Sequence, residues 1–232
     1  MRTRSYLADN MMNLPSTLII TGAFGSGKTE CAMALAEQAA QGGPAALVDL
    51  DFVNPYFRAQ DHRAALEARG VRIIAPDPHV APIDAPAMPA AAAEAMIHPT
   101  GCTIVDLGGD PAGAVVIGQF APLLHAYAFW AVVNFARPTT PDAAHAAALL
   151  QEIARVTRLQ LTGIISNTHL GALTEAEDIL QGLAQARELG ELLHLPVRLL
   201  AVPAGVSLPP QAVPVLEITP RLRRPWERSD EN

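Results

Sequence analysis

Lysine is nearly absent from this chain. Of its 16 basic side chains, Lys28 is the only lysine and the rest are arginines. Cysteine is scarce too. Cys31 and Cys102 stand far apart with no C-x-x-C spacing, which excludes a locally encoded iron–sulfur or zinc site and leaves both as small apolar residues. Charged residues make up only 17%, and the net charge is −7. A nucleic-acid-binding surface needs a basic face, so that class is disfavoured. The one basic cluster, Arg221, Arg223, Arg224 and Arg228, falls in a tail expected to be solvated. No apolar run reaches the roughly 18 residues of a membrane span. The N-terminus has arginines but no apolar stretch of the secretory kind, so a cytoplasmic location is expected.

Half of the residues are apolar, ample for one core. The single lysine lies in Gly22-Ala23-Phe24-Gly25-Ser26-Gly27-Lys28-Thr29, which reads G-x-x-x-x-G-K-T. That pattern is a phosphate-binding loop, the Walker A motif. Gly22, Gly25 and Gly27 let backbone amides close around phosphate oxygens without a Cβ in the way. The helix that follows adds its N-terminal amides and dipole. Lys28 is expected to bridge the β- and γ-phosphates and Thr29 to place its hydroxyl on Mg²⁺. A compact ammonium suits that place, whereas a planar guanidinium fork does not.

Short apolar runs alternate with helical stretches along the chain. Strands are predicted at 17–21, 45–50, 71–74, 103–106, 127–134, 161–166 and 197–202, and helices at 28–41, 58–69, 90–97, 142–157 and 174–189. This pattern specifies an α/β fold of three layers, a mostly parallel sheet with helices on both faces. Residues 1–14 read as a flexible extension, 15–220 as one P-loop NTPase domain and 221–232 as an Arg/Pro-rich tail. The proline-rich 75–90 segment reads as a loop or lid.

Ligands of such sheets bind at the carboxyl ends of the strands. Asp51, Asp106, Asn134, Asn167 and Pro203 all fall near those ends. Thr103-Ile104-Val105-Asp106 has the Walker B pattern, with Asp106 expected on Mg²⁺. In Asp49-Leu50-Asp51 the two carboxylates share one face, because strand residues i and i+2 point the same way. Asp51 is the candidate for orienting or deprotonating the attacking water, and Asp49 for the Mg²⁺ shell. A turn or capping role is the plainer alternative for all three aspartates. Asn54, Tyr56, Phe57 and Arg58 follow and form a candidate acceptor or partner site, the alternative being a small apolar cluster under a loop.

Taken together, the loop, the Asp49-x-Asp51-x-x-Asn54-Pro55 stretch, the Asp106-x-Gly108-Gly109 strand end and Asn167 resemble the MinD/ParA/CobQ-type class of P-loop ATPases. More closely, Gly22 through Glu30, Val48 through Arg58, Ser166 through Gly171 and Arg224-Pro225-Trp226 resemble a group of bacterial ATP-binding proteins with no agreed reaction. The likeness covers roughly 16–228. It implies a bound Mg-ATP, Asn167 against the adenine, and the loop at Pro203 covering the base; Glu30 belongs to the matched loop. His169 is expected near the base. Leu170 stands where a guanine reader keeps an aspartate, which favours ATP over GTP. The class carries a second lysine after the first loop glycine, acting across a dimer. Ala23 stands there instead, so either an arginine such as Arg58 or Arg137 substitutes, or catalysis is slow, or the dimer differs. A homodimer stays possible.

The leading expectation is a Mg-ATP-dependent switch with slow hydrolysis, in which the γ-phosphate orders the 51–58 and 107–113 loops toward an unknown protein partner. One alternative is a small-molecule kinase or ATP-dependent ligase with Asp51 as base and Arg58 on an anionic acceptor. The 75–90 lid contains no Arg or Lys to screen a transferring phosphate, which disfavours it. The other alternative is a non-catalytic nucleotide-binding module.

Overall fold

The computed structural model describes residues 14–51, 59–75 and 88–221. Asn54, Tyr56, Phe57 and Arg58, the tail beyond Arg221, and nearly all of the N-terminal extension and of the 75–90 segment lie outside the described residues.

The strands are β1 (Thr17–Thr21), β2 (Ala45–Leu50), β3 (Val71–Ile74), β4 (Cys102–Leu107), β5 (Tyr127–Val133), β6 (Gly163–Ser166), β7 (Val197–Pro203) and β8 (Val215–Ile218). They form one sheet in the order β3-β2-β4-β1-β5-β6-β7-β8, and every pairing is parallel. The main helices are α1 (Lys28–Ala40), α2 (Arg63–Glu67), α3 (Ala90–Ile97), α4 (Pro111–Ala114), α5 (Ala143–Thr157) and α6 (Ala176–Leu193).

Side chains alternate between two cores, as a sheet covered on both faces requires. Ile19, Val48, Val105, Phe129 and Ala131 pack on one face with Met96 of α3, Leu150 of α5 and Leu189 of α6. Leu18, Ile20, Leu47, Ile104 and Trp130 pack on the other with Met33 and Leu35 of α1 and Leu66 of α2. The alanines of α1 let it sit close to the strands: Ala32 and Ala36 are fully buried. This is the three-layer α/β architecture of a P-loop NTPase, as expected.

Two elements differ from the sequence reading. The predicted 58–69 helix is, where described, a 3-10 turn (Ala59–His62) followed by the five-residue α2. Leu66 is its only fully buried side chain among those described, so little packing is available to extend it. The strand β8 was not anticipated. It pairs with β7 from Leu200↔Val215 to Pro203↔Ile218 and buries only Leu216 and Ile218.

From β1 the chain crosses toward the β3 edge, and from β4 it crosses back over β1 to β5. The connections therefore diverge around β1, and such a divergence opens a crevice at the carboxyl ends of the strands. The glycine loop occupies that end of β1.

Candidate functional site

The loop begins where β1 runs against β5. A Cβ on Gly22 would collide with the carbonyl oxygen of Val132, so only glycine lets the chain leave the sheet there. Ser26 N–H donates to Ala23 O (3.0 Å), closing the turn, and Cys31 N–H donates to Gly27 O (3.0 Å), starting α1. Gly27 sits at φ +86°, and a Cβ on it would strike Asn167 Nδ2. Two side chains brace the loop from outside. Asn167 Nδ2 donates to Ser26 O (2.7 Å) and Arg137 Nε donates to Gly25 O (2.9 Å). In a trans peptide the N–H points opposite the C=O. With Ser26 O held outward by Asn167, the Gly27 amide is turned to the other side of the loop, as anion binding there requires.

Three carboxylates meet this loop. Asp49 and Asp106 are register partners on β2 and β4. Asp51 N–H donates to Asp49 Oδ1 (3.3 Å). Lys28 Nζ lies 2.9 Å from Asp51 Oδ2, and both side chains are buried. Gly108 packs so that a Cβ on it would lie 3.5 Å from Asp51 Oδ1, and Gly109 abuts the Gly22 carbonyl. Thr21 Oγ1 donates to Gly108 O (3.3 Å). The structure thus brings together the glycine loop, the Asp49–Asp51 strand end and the loop after β4.

Asp106 is fully buried, and neither of its oxygens has a hydrogen-bond partner. Burial raises its pKa to about 7, and the charges of Asp49 and Asp51 push the same way. The Lys28 charge and the nearby Thr29 hydroxyl oppose this without overcoming it. A buried carboxylate with two orphaned oxygens fits a divalent cation. No three of the described His, Cys, Asp and Glu side chains form a closed metal cage. Mg²⁺ suits such a place, because it takes one or two protein ligands and completes its shell with phosphate oxygens and water. Thr29 and Asp106 would hold it, with Asp49 adjacent.

The remaining candidates fall elsewhere around the loop. Glu30 Oε1 accepts from the Arg221 amide (2.8 Å), so this carboxylate is turned toward the C-terminal segment. Pro203 ends β7 beside Ile218 of β8. His169 Nδ1 accepts from Gly171 N–H (3.2 Å), which places the proton of a neutral ring on Nε2. That Nε2 lies 3.6 Å from where a Cβ on Gly27 would stand.

One organising residue was noted in sequence only for its place after a strand. Asn134 is fully buried. Its Oδ1 accepts from Ala136 N–H (3.0 Å) and His169 N–H (3.4 Å), and its Nδ2 donates to His169 O (3.3 Å). Thr140 Oγ1 donates to Asn134 O (2.9 Å), and Thr168 Oγ1 accepts from Phe135 N–H (3.2 Å). Asn134 therefore ties the loop that carries Arg137 to the loop that carries Asn167. The only local signal was an asparagine at a strand end, a common turn former. Around the mouth, Phe24, Leu170 and Leu173 face solvent, at 66%, 45% and 79% exposure.

No family model matches the chain, and no curated protein sequence matches it either. Solved structures do match in shape. The signal recognition particle 54 kDa protein from Aeropyrum pernix K1, in complex with GDP, aligns over 80% of this chain and 41% of its own at 16% identity, with a TM-score of 0.52. FtsY from Mycoplasma mycoides aligns over 80% and 59% at 17% identity, with a TM-score of 0.50. A nucleotide-binding protein from Archaeoglobus fulgidus in complex with ADP aligns over 91% and 84% at 16% identity, with a TM-score of 0.47. The chain spans less than two thirds of the length of the first two. At these identities the likeness concerns architecture alone: the chain shares the parallel α/β P-loop fold of these structures.

Proposed function

We propose that this protein binds Mg-ATP, hydrolyses it slowly and acts as a nucleotide-dependent switch of the MinD/ParA kind. The carrying observation is the buried Lys28–Asp51 ion pair beside the orphaned Asp106. These groups are poised for an incoming anion and cation. An arriving phosphate chain competes with Asp51 for Lys28, the only lysine. Releasing Asp51 frees its carboxylate to orient a water at the γ-phosphate and shifts the start of the 51–58 loop. Bound Mg²⁺ would neutralise developing charge on the phosphate oxygens. Gly108 and Gly109 pack against Asp51 and Gly22, and in this reading their loop senses the γ-phosphate. Leu170, in place of an acidic guanine reader, supports adenine.

The test is a thermal-shift and phosphate-release comparison with ATP, ADP and GTP, with Mg²⁺ or EDTA. ATP with Mg²⁺ is expected to stabilise most, with turnover well below the ~10 s⁻¹ of a median enzyme. Lys28→Ala is expected to abolish the shift. A Lys28→Ala protein that binds ATP like wild type refutes the reading. Hydrolysis strictly dependent on an added metabolite replaces it with phosphoryl or ligase transfer, and equal ATP and ADP shifts without phosphate release replace it with a non-catalytic module.

A further inference from the structure

The phosphate loop stands at the carboxyl ends of the strands. A cavity of about 290 Å³ lies at the opposite, amino ends, between α3 and the start of β2, β3 and β4. That is close to the lower limit of small-ligand pockets, about 300 Å³.

The cavity follows from how α3 is held. Thr17 Oγ1 donates to Met96 O (2.9 Å) and Thr103 Oγ1 donates to Ala95 O (2.9 Å). These bonds fix the end of α3 to β1 and β4. Thr103, Ala46 and Arg72 form one row across β4, β2 and β3. Residues of a row share a face of the sheet. Thr103 is bonded to α3 and Ala46 packs against the core on that side, so Arg72 stands on the same face, exposed at the sheet edge. The helix supplies the other wall. Ala91, Glu94, Ala95 and His98 recur at i, i+3, i+4 and i+7, and all four line the cavity. Alanine at 46, 91 and 95 keeps the space open where larger apolar side chains would fill it.

Two opposite charges therefore flank one cavity from different elements. Arg72 and Glu94 are both exposed, and among the described residues neither makes a hydrogen bond or an ion pair, with the other or elsewhere. Separation alone would mean little, because an exposed ion pair contributes little. Here the separation coincides with a cavity whose floor is made of small residues. A guanidinium takes a carboxylate through paired donors, and a carboxylate accepts from an ammonium.

We infer that this cavity is a second binding site, for a small zwitterion of the α-amino-acid class, with its carboxylate on Arg72, its ammonium on Glu94 and any short side chain against Ala46 and Ala95. The site shares no residue with the phosphate loop and does not depend on the nucleotide reading.

The experiment is a thermal-shift titration of the full chain, without nucleotide, with each standard L-amino acid. Acetate and ethylamine serve as single-charge controls. At least one amino acid is expected to give a saturable shift within about 10 mM, and neither control is. The same titration is repeated with Arg72→Ala and Glu94→Gln. Both side chains are exposed and unpaired, so the unliganded melting temperature is expected to stay near wild type. Each variant is expected to weaken amino-acid binding by at least about tenfold, the loss of one charged hydrogen-bonding partner.

No saturable shift from any amino acid by about 10 mM overturns the assignment. A shift from acetate or ethylamine equal to that from the amino acid overturns the zwitterion, leaving a site for one charge. Undiminished binding in either variant places the amino acid elsewhere and overturns it as well.

Discussion

Asp106 is a buried carboxyl whose charge the nucleotide-free protein holds at a cost. Its folded pKa, about 7, lies above the ordinary aspartate value of 3.8, so the folded state binds the extra proton more tightly than the unfolded chain does. The penalty is absent below the ordinary value, grows as pH rises between the two, and is complete above about 7. The melting temperature of the nucleotide-free protein is therefore expected to fall between about pH 4 and pH 7 by way of this group, and to level off above. Asp106→Asn is expected to flatten that slope and to melt higher than wild type at pH 8, while losing the Mg²⁺-dependent part of the ATP shift. A pH series of melting curves for both proteins, with and without Mg-ATP, checks this. An unchanged slope in Asp106→Asn contradicts it.

Between elements, what holds the site is a set of loop-to-loop hydrogen bonds. Asn134→Ala removes the acceptor of the Ala136 and His169 amides and the donor to His169 O. Leaving such buried groups unmatched costs about 1–3 kcal/mol each at most, and the loops carrying Arg137 and Asn167 lose their common anchor. Urea unfolding is expected to show destabilisation of that order, and the ATP shift is expected to weaken although Asn134 touches none of the glycine-loop residues in the hydrogen bonds described. The link between the two loops was not legible beforehand, because His169 lies 35 residues from Asn134 and a strand-end asparagine bonded to its near neighbours looks like an ordinary turn. The glycine loop and most strands were legible, since continuous apolar runs bounded by turn residues mark buried parallel strands. Val215–Ile218 was not. Pro209, Pro210, Pro214 and Pro220 surround it, and its exposed–buried alternation at an edge differs from the uniformly buried inner strands. Arg137 stood out in sequence as a candidate substitute for the missing loop lysine, but its brace of the Gly25 carbonyl was not legible.

Over the whole molecule, the all-parallel sheet gathers the carboxyl ends of β1, β2, β4, β5 and β6 at one rim. The same topology makes a switch possible, because loops from several strands share one ligand. Hydrogen exchange is expected to show ATP with Mg²⁺ protecting amides at 22–29 and 107–113 more than ADP does. Ligand at a hundred times its Kd stabilises the native state by about 2.7 kcal/mol, so protection across the core is expected to rise for both nucleotides. The difference between them is expected to concentrate in those loops. Identical maps for ATP and ADP contradict a γ-phosphate switch.

The bracing of the glycine loop also has an order in time. The loop and α1 emerge early when the chain is synthesised from its N-terminus. Arg137, Asn167 and Arg221, which hold Gly25, Ser26 and Glu30, arrive more than a hundred residues later. A nascent chain stopped short of those positions carries the entire phosphate motif yet lacks these braces, so the nucleotide capture proposed above is expected to be a late event of synthesis that reports a finished fold.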